Sequence, residues 1–256
     1  MQAENFSLQR YFDRIGFHGE ARADIATVSQ IMRCQLFSVP FENLDVQAGK
    51  IVSLVPEDIA AKILERQRGG YCYEVNGVFA MALQALGIEY QFVAARPMFY
   101  PAKRPKTHMA IVLTLDGTQW LCDLGFGSYG IRAPMRLDAL DVEVKQDLDT
   151  FMLSKTSERD YLLRALVDGE WGNQYGFDLS PQEWIDFVPA NYLNSTHPDA
   201  IFVQKLVIVL HNASGRKILV GDTLKIVENG TMEKHEVVPE QRVAVLQTHF
   251  DLQSFA

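Results

Sequence analysis

A cysteine lies where a helix is expected to begin, within RGGYCYEVNG at residues 68–77. A thiol at a helix N-terminus is close to unpaired backbone N–H groups and to the positive end of the helix dipole, which stabilises a thiolate. The same N–H groups can stabilise an oxyanion, and Gly69 and Gly70 allow a substrate to approach closely. Cys72 is therefore a candidate nucleophile. A buried structural cysteine is the alternative interpretation at this point, because free cysteines are often buried.

A histidine and an aspartate occur together in THMAIVLTLDGTQWLCDLGFG, residues 107–127. The Asp-Gly pair at 116–117 lies between two apolar runs, which predicts a hairpin with a two-residue turn. In that register His108 and Asp123 are diagonal neighbours on one face of the hairpin. Gly125 lies opposite His108 and is expected to leave room for the imidazole. A three-residue turn would instead place the two side chains on opposite faces.

A carboxylate that holds one imidazole nitrogen orients the other nitrogen toward a nucleophile, as in a Cys-His-Asp triad. Cys72, His108 and Asp123 are therefore candidate catalytic residues, but the spacing alone does not place Cys72 next to the hairpin. A zinc site built from the same three side chains is the competing interpretation. It is disfavoured because the sequence has no C-x-x-C or H-x-x-x-H pair, and we predict no metal. Cys122 falls on the apolar face of the hairpin and is expected to be structural.

The elements that carry these residues follow from the hydrophobic spacing. Helical spacing dominates up to about residue 86, and an alternating pattern typical of strands begins near residue 88. The closing stretch PEQRVAVLQTHFDL is expected to be helical. This order of helices, strands and a smaller mixed end predicts an α+β fold, with boundaries near residues 86 and 190.

Composition narrows the class of protein further. The 256 residues are 48% hydrophobic and carry a net charge of −8, which disfavours nucleic-acid binding. No apolar run is long enough to cross a bilayer, and the N-terminal stretch lacks the pattern of a secretory signal. Three cysteines are an odd, sparse set, which favours reduced thiols in the cytoplasm. The basic run PAKRPK, residues 101–106, is expected to be a solvated loop rather than a site for the phosphates of a ligand.

Several separated stretches together resemble the arylamine N-acetyltransferase family. They are VPFENLDV at 39–46, RGGYC around Cys72, THMAIVL around His108, CDLGFG around Asp123 and NSTHPDAIFVQ at 194–204. The combination occurs in the family's order and extends from near the N-terminus to at least residue 204. This resemblance implies the same triad that the residue types and the hairpin register predict.

The resemblance also implies a fold and an activity. It implies a helical domain at 1–86, a β-barrel-like domain at 87–190 with His and Asp, and a small α/β lid at 191–256. Acetyl from acetyl-CoA would pass to Cys72 and then to an arylamine, arylhydrazine or N-hydroxyarylamine, in a ping-pong scheme. Further implied positions are acceptor-binding Phe41, Phe126 and Phe202, Gly127 and Ser128 near the pantetheine arm, and an Arg68–Glu42 pair that braces the site.

Three other hypotheses remain open at the level of sequence. The first is a related cysteine acyltransferase or amide synthase with another acyl donor. The second is a cysteine hydrolase that gives the acyl group to water. The third is a ligand-binding protein that keeps the pocket without the chemistry, and the presence of all three triad residue types disfavours it.

Overall fold

The structure, a computed structural model, describes residues 1–127 and 129–252. Within these residues the chain forms eight α-helices: α1 Leu8–Ile15, α2 Ile25–Ser38, α3 Leu44–Gln47, α4 Pro56–Ala60, α5 Cys72–Ala85, α6 Val188–Thr196, α7 Ile201–Gln204 and α8 Arg242–Phe250. A π-helical turn, Ala61–Glu65, continues α4. Short 3₁₀ segments, Trp184–Phe187 and Pro239–Gln241, precede α6 and α8.

The strands form two antiparallel sheets. The strands are β1 Phe41–Glu42, β2 Glu89–Pro97, β3 His108–Leu115, β4 Thr118–Cys122, β5 Met135–Arg136, β6 Val144–Gln146, β7 Asp149–Lys155, β8 Asp160–Val167, β9 Glu170–Asp178, β10 Val207–Asn212, β11 Gly215–Val220, β12 Thr223–Glu228 and β13 Thr231–Glu236. The larger sheet has the order β5-β4-β3-β2-β9-β8-β7-β6, and the smaller has the order β1-β10-β11-β12-β13. The predicted α+β class is confirmed.

Helix α1 shows how local sequence sets an element's ends. The Ser7 hydroxyl accepts a hydrogen bond from the backbone N–H of Arg10, which satisfies one of the free groups at the helix start. Gly16 ends the helix at φ +68°, a conformation that glycine adopts without steric cost. Tyr11 and Ile15 are buried on the apolar face that the helical spacing predicts.

Helix α5 is the central element of the core. Every residue from 72 to 83 is buried, and the helix packs against β3 of the large sheet. Because the first turn of α5 is buried, its free backbone N–H groups cannot rely on water and need partners within the protein. The predicted start at Cys72 is confirmed.

The β3–β4 hairpin has the predicted register. Leu115 pairs with Thr118 and Ile111 with Cys122. The two turn residues, 116 and 117, have φ of +50° and +71°, as a type I′ turn requires. Cys122 is fully buried, in agreement with its expected structural role.

Two features qualify the expected organisation of the chain. Helix α6 crosses residue 190, so the boundary expected there falls inside a helix. Strand β1, from the N-terminal third, pairs with β10 and joins the smaller sheet.

The described part of the chain contains no helix with the length and apolar character needed to span a bilayer.

Candidate active site

Cys72 is the first residue of α5, and its surroundings fix the start of the helix. Its side chain is 3% exposed and lines a cavity. The residue before it, Tyr71, donates its backbone N–H to the buried Glu74 carboxylate at 3.0 Å. The thiol therefore lies at the positive end of a helix whose first turn is held by a side chain of that same turn.

His108 begins β3, and Asp123 follows the end of β4. The Nε2 atom of His108 lies 2.7 Å from Oδ2 of Asp123, and both side chains are buried. This bond occupies Nε2 and leaves Nδ1 as the ring nitrogen for another partner. Cys72 lies close enough to His108 to contribute to the raised pKa of the imidazole, and both residues line the same cavity. The three predicted catalytic side chains are thus adjacent in space.

The pKa of His108 is raised from 6.5 to about 10. Burial by itself would lower it, because a charged imidazole loses its hydration. The charge of Asp123 and its hydrogen bond outweigh burial, and the interactions with Cys72 act in the same direction. The imidazole is therefore protonated at neutral pH and can stabilise a thiolate on Cys72.

Asn76 is a residue of the site that the sequence analysis missed. Its Nδ2 donates to Asp123 Oδ1 at 3.1 Å and to the Met109 carbonyl at 2.8 Å. Its Oδ1 accepts the backbone N–H of Leu124 at 2.9 Å. The Asp123 oxygen that does not contact His108 is thereby held in place by Asn76, a residue of α5. The signal was present, since Asn76 lies one helical turn after Cys72 on the same side of the helix.

Tyr175 on β9 was also missed. Its ring lies 5.0 Å from the His108 ring and 4.8 Å from the Phe126 ring, and the residue is fully buried. Burial, followed by the nearby Asp123 carboxylate, raises the pKa of its hydroxyl well above the usual value. The phenol therefore stays protonated beside Asp123, and its ring packs against the imidazole of His108.

The glycines near the site serve a different purpose from the one expected. A Cβ at Gly125 would lie 2.5 Å from the Cα of Cys72, so this glycine makes room for the cysteine backbone and not for the imidazole. A Cβ at Gly69 would lie 1.9 Å from the Pro40 carbonyl oxygen, and one at Gly70 would lie 2.6 Å from the Glu74 side chain. These glycines allow close approach of the protein's own chain, not of a substrate.

A buried network of charged side chains lies next to the start of α5. Arg68 bonds Glu42 through Nε at 3.0 Å, so the expected pair is present. Lys62, which the sequence analysis did not single out, lies 2.5 Å from Asp45 and 2.7 Å from Glu74. Burial acts to lower the pKa of Lys62, but the surrounding carboxylates raise it above its usual value. All these charges are compensated, as buried ions require.

The three predicted acceptor-binding phenylalanines line one cavity of about 300 Å³ together with Cys72 and His108. The rings of Phe41 and Phe202 are 5.8 Å apart, and the Phe126 ring is 5.1 Å from that of His108. The Phe202 carbonyl accepts a hydrogen bond from Asn43 at 2.7 Å, which fixes α7 at the cavity. Flat, apolar walls of this kind suit an aromatic ligand.

The expected pantetheine positions are only partly described. The Gly127 carbonyl lies 3.0 Å from Nε2 of His211, a buried histidine whose pKa is lowered to about 3 by burial and by two neighbouring arginines. Gly127 does not line the aromatic cavity. Ser128 lies outside the described residues.

No group of three or more His, Cys, Asp or Glu side chains within 1–127 and 129–252 is arranged to hold a metal ion.

The charge state of His108 predicts a pH profile for the three thiols. Cys72 is expected to alkylate rapidly at about pH 6–7, where an ordinary thiol of pKa about 8.5 is almost fully protonated. Burial raises the pKa of Cys34 and of Cys122, so both should react slowly there. The check is iodoacetamide labelling across pH, followed by peptide mapping. Equal labelling of all three thiols at every pH would contradict the predicted ion pair.

A buried thiol beside an imidazole–carboxylate pair, at an aromatic cavity in an α+β fold, has the groups that a cysteine-dependent enzyme needs to form a covalent acyl intermediate. The model of a family described as N-acetyltransferase matches residues 24–254 of the chain. An arylamine N-acetyltransferase from Mycolicibacterium smegmatis is 33% identical, over 87% of this chain and 83% of that protein. The chain belongs to the arylamine N-acetyltransferase family, as the sequence motifs indicate.

Solved structures agree with this assignment. The arylamine N-acetyltransferase of M. tuberculosis superimposes with a TM-score of 0.91 at 30% identity, covering 96% of this chain and 94% of that one. The enzyme of Mycobacterium marinum in complex with CoA gives a TM-score of 0.91 at 29% identity, covering 96% and 93%. The fold is therefore that of these relatives along almost its entire length.

Proposed function

We propose that this protein transfers the acetyl group of acetyl-CoA to an aromatic amine or hydrazine by way of Cys72, in a ping-pong reaction. The observation that carries the proposal is the contact of Cys72 with a His108–Asp123 pair at an aromatic cavity. Membership of the family supports acetyl-CoA as the donor, and the M. marinum relative has been solved with CoA.

In the first half-reaction the Cys72 thiolate attacks the thioester carbonyl carbon. The new bond joins Cys72 sulfur to the acetyl group, and the bond to the sulfur of CoA breaks. The departing CoA thiolate takes the proton of the His108 imidazolium. Because one thioester replaces another, this exchange is nearly balanced in free energy. Backbone N–H groups at the start of α5 are placed to stabilise the intermediate oxyanion.

In the second half-reaction a neutral amine attacks the acetyl-Cys72 carbonyl carbon. The C–N bond forms, the C–S bond breaks, and neutral His108 accepts the amine proton. The products are the amide and the regenerated thiolate–imidazolium pair. Proton acceptance by a positioned base typically contributes about 10²–10⁴-fold to a rate.

Aromatic amines suit this site for two reasons. They are less basic than alkyl amines, so they are neutral and nucleophilic near pH 7. The rings of Phe41, Phe126 and Phe202 provide flat walls that help to exclude water, which would otherwise hydrolyse the acetyl-enzyme. Gly127 and Ser128 remain proposed neighbours of the pantetheine arm.

The finer organisation is also a proposal. We infer a helical domain at 1–86, a curled, barrel-like middle domain and an α/β lid. The second boundary is better placed before the 3₁₀ segment Trp184–Phe187, because α6 crosses residue 190. Residues of the first two domains build the triad, and α7 of the lid borders the cavity. Three unpaired cysteines fit a reducing compartment such as the cytoplasm.

The test is the intact mass of the protein after mixing with acetyl-CoA in the absence of an acceptor. One added acetyl group, mapped to the Cys72 peptide and discharged by an arylamine, is the expected result. No adduct, while Cys72 still alkylates readily, would point to another acyl donor. No adduct with an inert Cys72 would refute the proposed chemistry altogether.

A further inference from the structure

The loop between β2 and β3 brings a cation into the aromatic cavity. Arg104, in the basic run at 101–106, lines the cavity together with Cys72 and His108. It is the only lysine or arginine among the cavity-lining residues that the structure describes. The expectation of a solvated loop is therefore wrong for Arg104, although the neighbouring Lys103 is exposed.

The guanidinium of Arg104 has no acidic partner. Within the described ranges, no carboxylate oxygen lies within 4.0 Å of it, and its Nε is buried without a hydrogen-bond partner. Lys106, two residues later, shows the contrast, since its ammonium lies 2.5 Å from Asp178. The terminal N–H groups of this cavity-lining guanidinium are not among the buried atoms and have no described carboxylate partner, so they are the groups that an anionic ligand could reach.

The position of Arg104 is fixed by its neighbours. Its carbonyl accepts a hydrogen bond from the guanidinium of Arg96. Its guanidinium carbon lies 4.7 Å from the centre of the Tyr100 ring, so the group is stacked on an aromatic face. Stacking by one face leaves the two terminal N–H groups for a ligand, and they can hold a carboxylate with two parallel hydrogen bonds.

A continuous series of rings connects Arg104 to the candidate catalytic base. Tyr100 lies 4.2 Å from Phe99, Phe99 lies 5.8 Å from Phe126, and Phe126 lies 5.1 Å from His108. An aromatic ligand that packs along these rings would have one end near Cys72 and the other toward Arg104. The cavity thus offers an apolar middle, a nucleophile at one end and a cation at the other.

We propose that Arg104 binds an anionic group on the acceptor, so that the enzyme selects arylamines that carry a carboxylate or sulfonate on the ring. The proposal rests on the acetyl transfer proposed above. Asp199, an exposed residue that also lines the cavity, opposes this selection because its carboxylate repels an anion. Arg104 and Asp199 therefore act on acceptor charge in opposite directions.

The experiment isolates the second half-reaction. The protein is acetylated with 4-nitrophenyl acetate, a donor without phosphates, and discharge of the acetyl-enzyme is followed by intact mass. The acceptors are 4-aminobenzoate and 4-aminobenzamide, which have nearly the same shape and differ in charge. The measured quantity is the ratio of their second-order discharge constants.

Arg104→Met is expected to lower this ratio by roughly 10- to 100-fold, the range for a lost hydrogen-bonded ion pair. Arg104→Lys should restore part of it, because the charge returns without the planar fork. Asp199→Asn should raise the ratio. Lys103→Met removes an adjacent exposed cation and should leave the ratio within about twofold, as expected for a screened surface charge.

Two outcomes would overturn the inference while leaving the proposed function intact. If Arg104→Met slowed discharge by both acceptors equally, Arg104 would be a packing residue. If the ratio stayed constant while the KM for acetyl-CoA rose, Arg104 would be assigned to a phosphate of the donor. Failure of the protein to form an acetyl-enzyme with either 4-nitrophenyl acetate or acetyl-CoA would instead refute the proposed function.

Discussion

Replacing Cys72 with alanine is expected to lower the rate of acetyl transfer by roughly 10⁵–10⁶-fold, the scale on which removing a catalytic nucleophile acts. The physical reason is that no other described side chain at the cavity offers a thiolate. Cys122 is buried on the opposite face of its hairpin, and Cys34 lies in α2, away from the cavity. The measurement is steady-state acetylation of an arylamine, with the acetyl-enzyme followed by intact mass.

The matched control for this prediction is Cys34→Ala, which removes a half-buried thiol outside the cavity. It should keep acetylation within about twofold, because substitutions away from the site have small effects. Circular dichroism should show both variants folded, since Cys→Ala removes only one buried sulfur atom. If Cys72→Ala retained a substantial fraction of the activity, the acetyl group would not pass through this thiol.

The hairpin is the part of the site that the sequence specified most completely. An Asp-Gly turn sets the pairing of β3 with β4, and the period of two then decides which side chains share a face. The relation of His108 to Asp123 was predictable for this reason, and the 2.7 Å contact agrees with it. The start of α5 at Cys72 could also be predicted from the neighbouring residues alone, because it depends on the stretch RGGYC at residues 68–72.

The contacts that join these local pieces were not predictable from spacing. Nothing in the order of residues states that α5 packs against β3, so the proximity of Cys72 to His108 required either the fold or the family resemblance. Tyr175 reaches the imidazole from β9, which pairs with β2 in the large sheet. Lys62 is compensated by carboxylates from three separate segments. Such contacts depend on tertiary packing, for which a single sequence carries no periodic signal.

The glycines illustrate the same limit in a different way. Gly125 was correctly singled out as a place where a side chain is excluded, and the reason was wrong, because the excluded volume belongs to the Cys72 backbone. A sequence shows that space is needed but not which group occupies it. Arg104 is a parallel case, since a short basic run is ordinarily solvated and only the folded loop turns one of its cations inward.

Replacing Asp123 with asparagine is expected to lower the acetylation rate by roughly 10³–10⁴-fold, as loss of the orienting carboxylate does in a triad. Asparagine is nearly the same size, so packing against Asn76 is kept while the charge is lost. The pKa of His108, about 10 in the native protein, should fall, because the Asp123 charge and hydrogen bond that offset burial are removed. A smaller fraction of the imidazole would then be protonated at neutral pH, and a thiolate on Cys72 would be less stabilised by it.

The measurement that distinguishes this mechanism from simple misfolding is the pH profile of Cys72 alkylation. In the native protein the rate should stay high at about pH 6–7, and in Asp123→Asn it should fall there and recover only at higher pH. Asp138→Asn is the matched control, because it removes an exposed carboxylate that pairs with Arg136 at the surface. Asp123→Asn with both a native acetylation rate and a native alkylation profile would show that Asp123 has no part in the reaction. A slowed reaction with the profile unmoved would assign it a packing role, so that the charge of the carboxylate would have no part in activating the thiol.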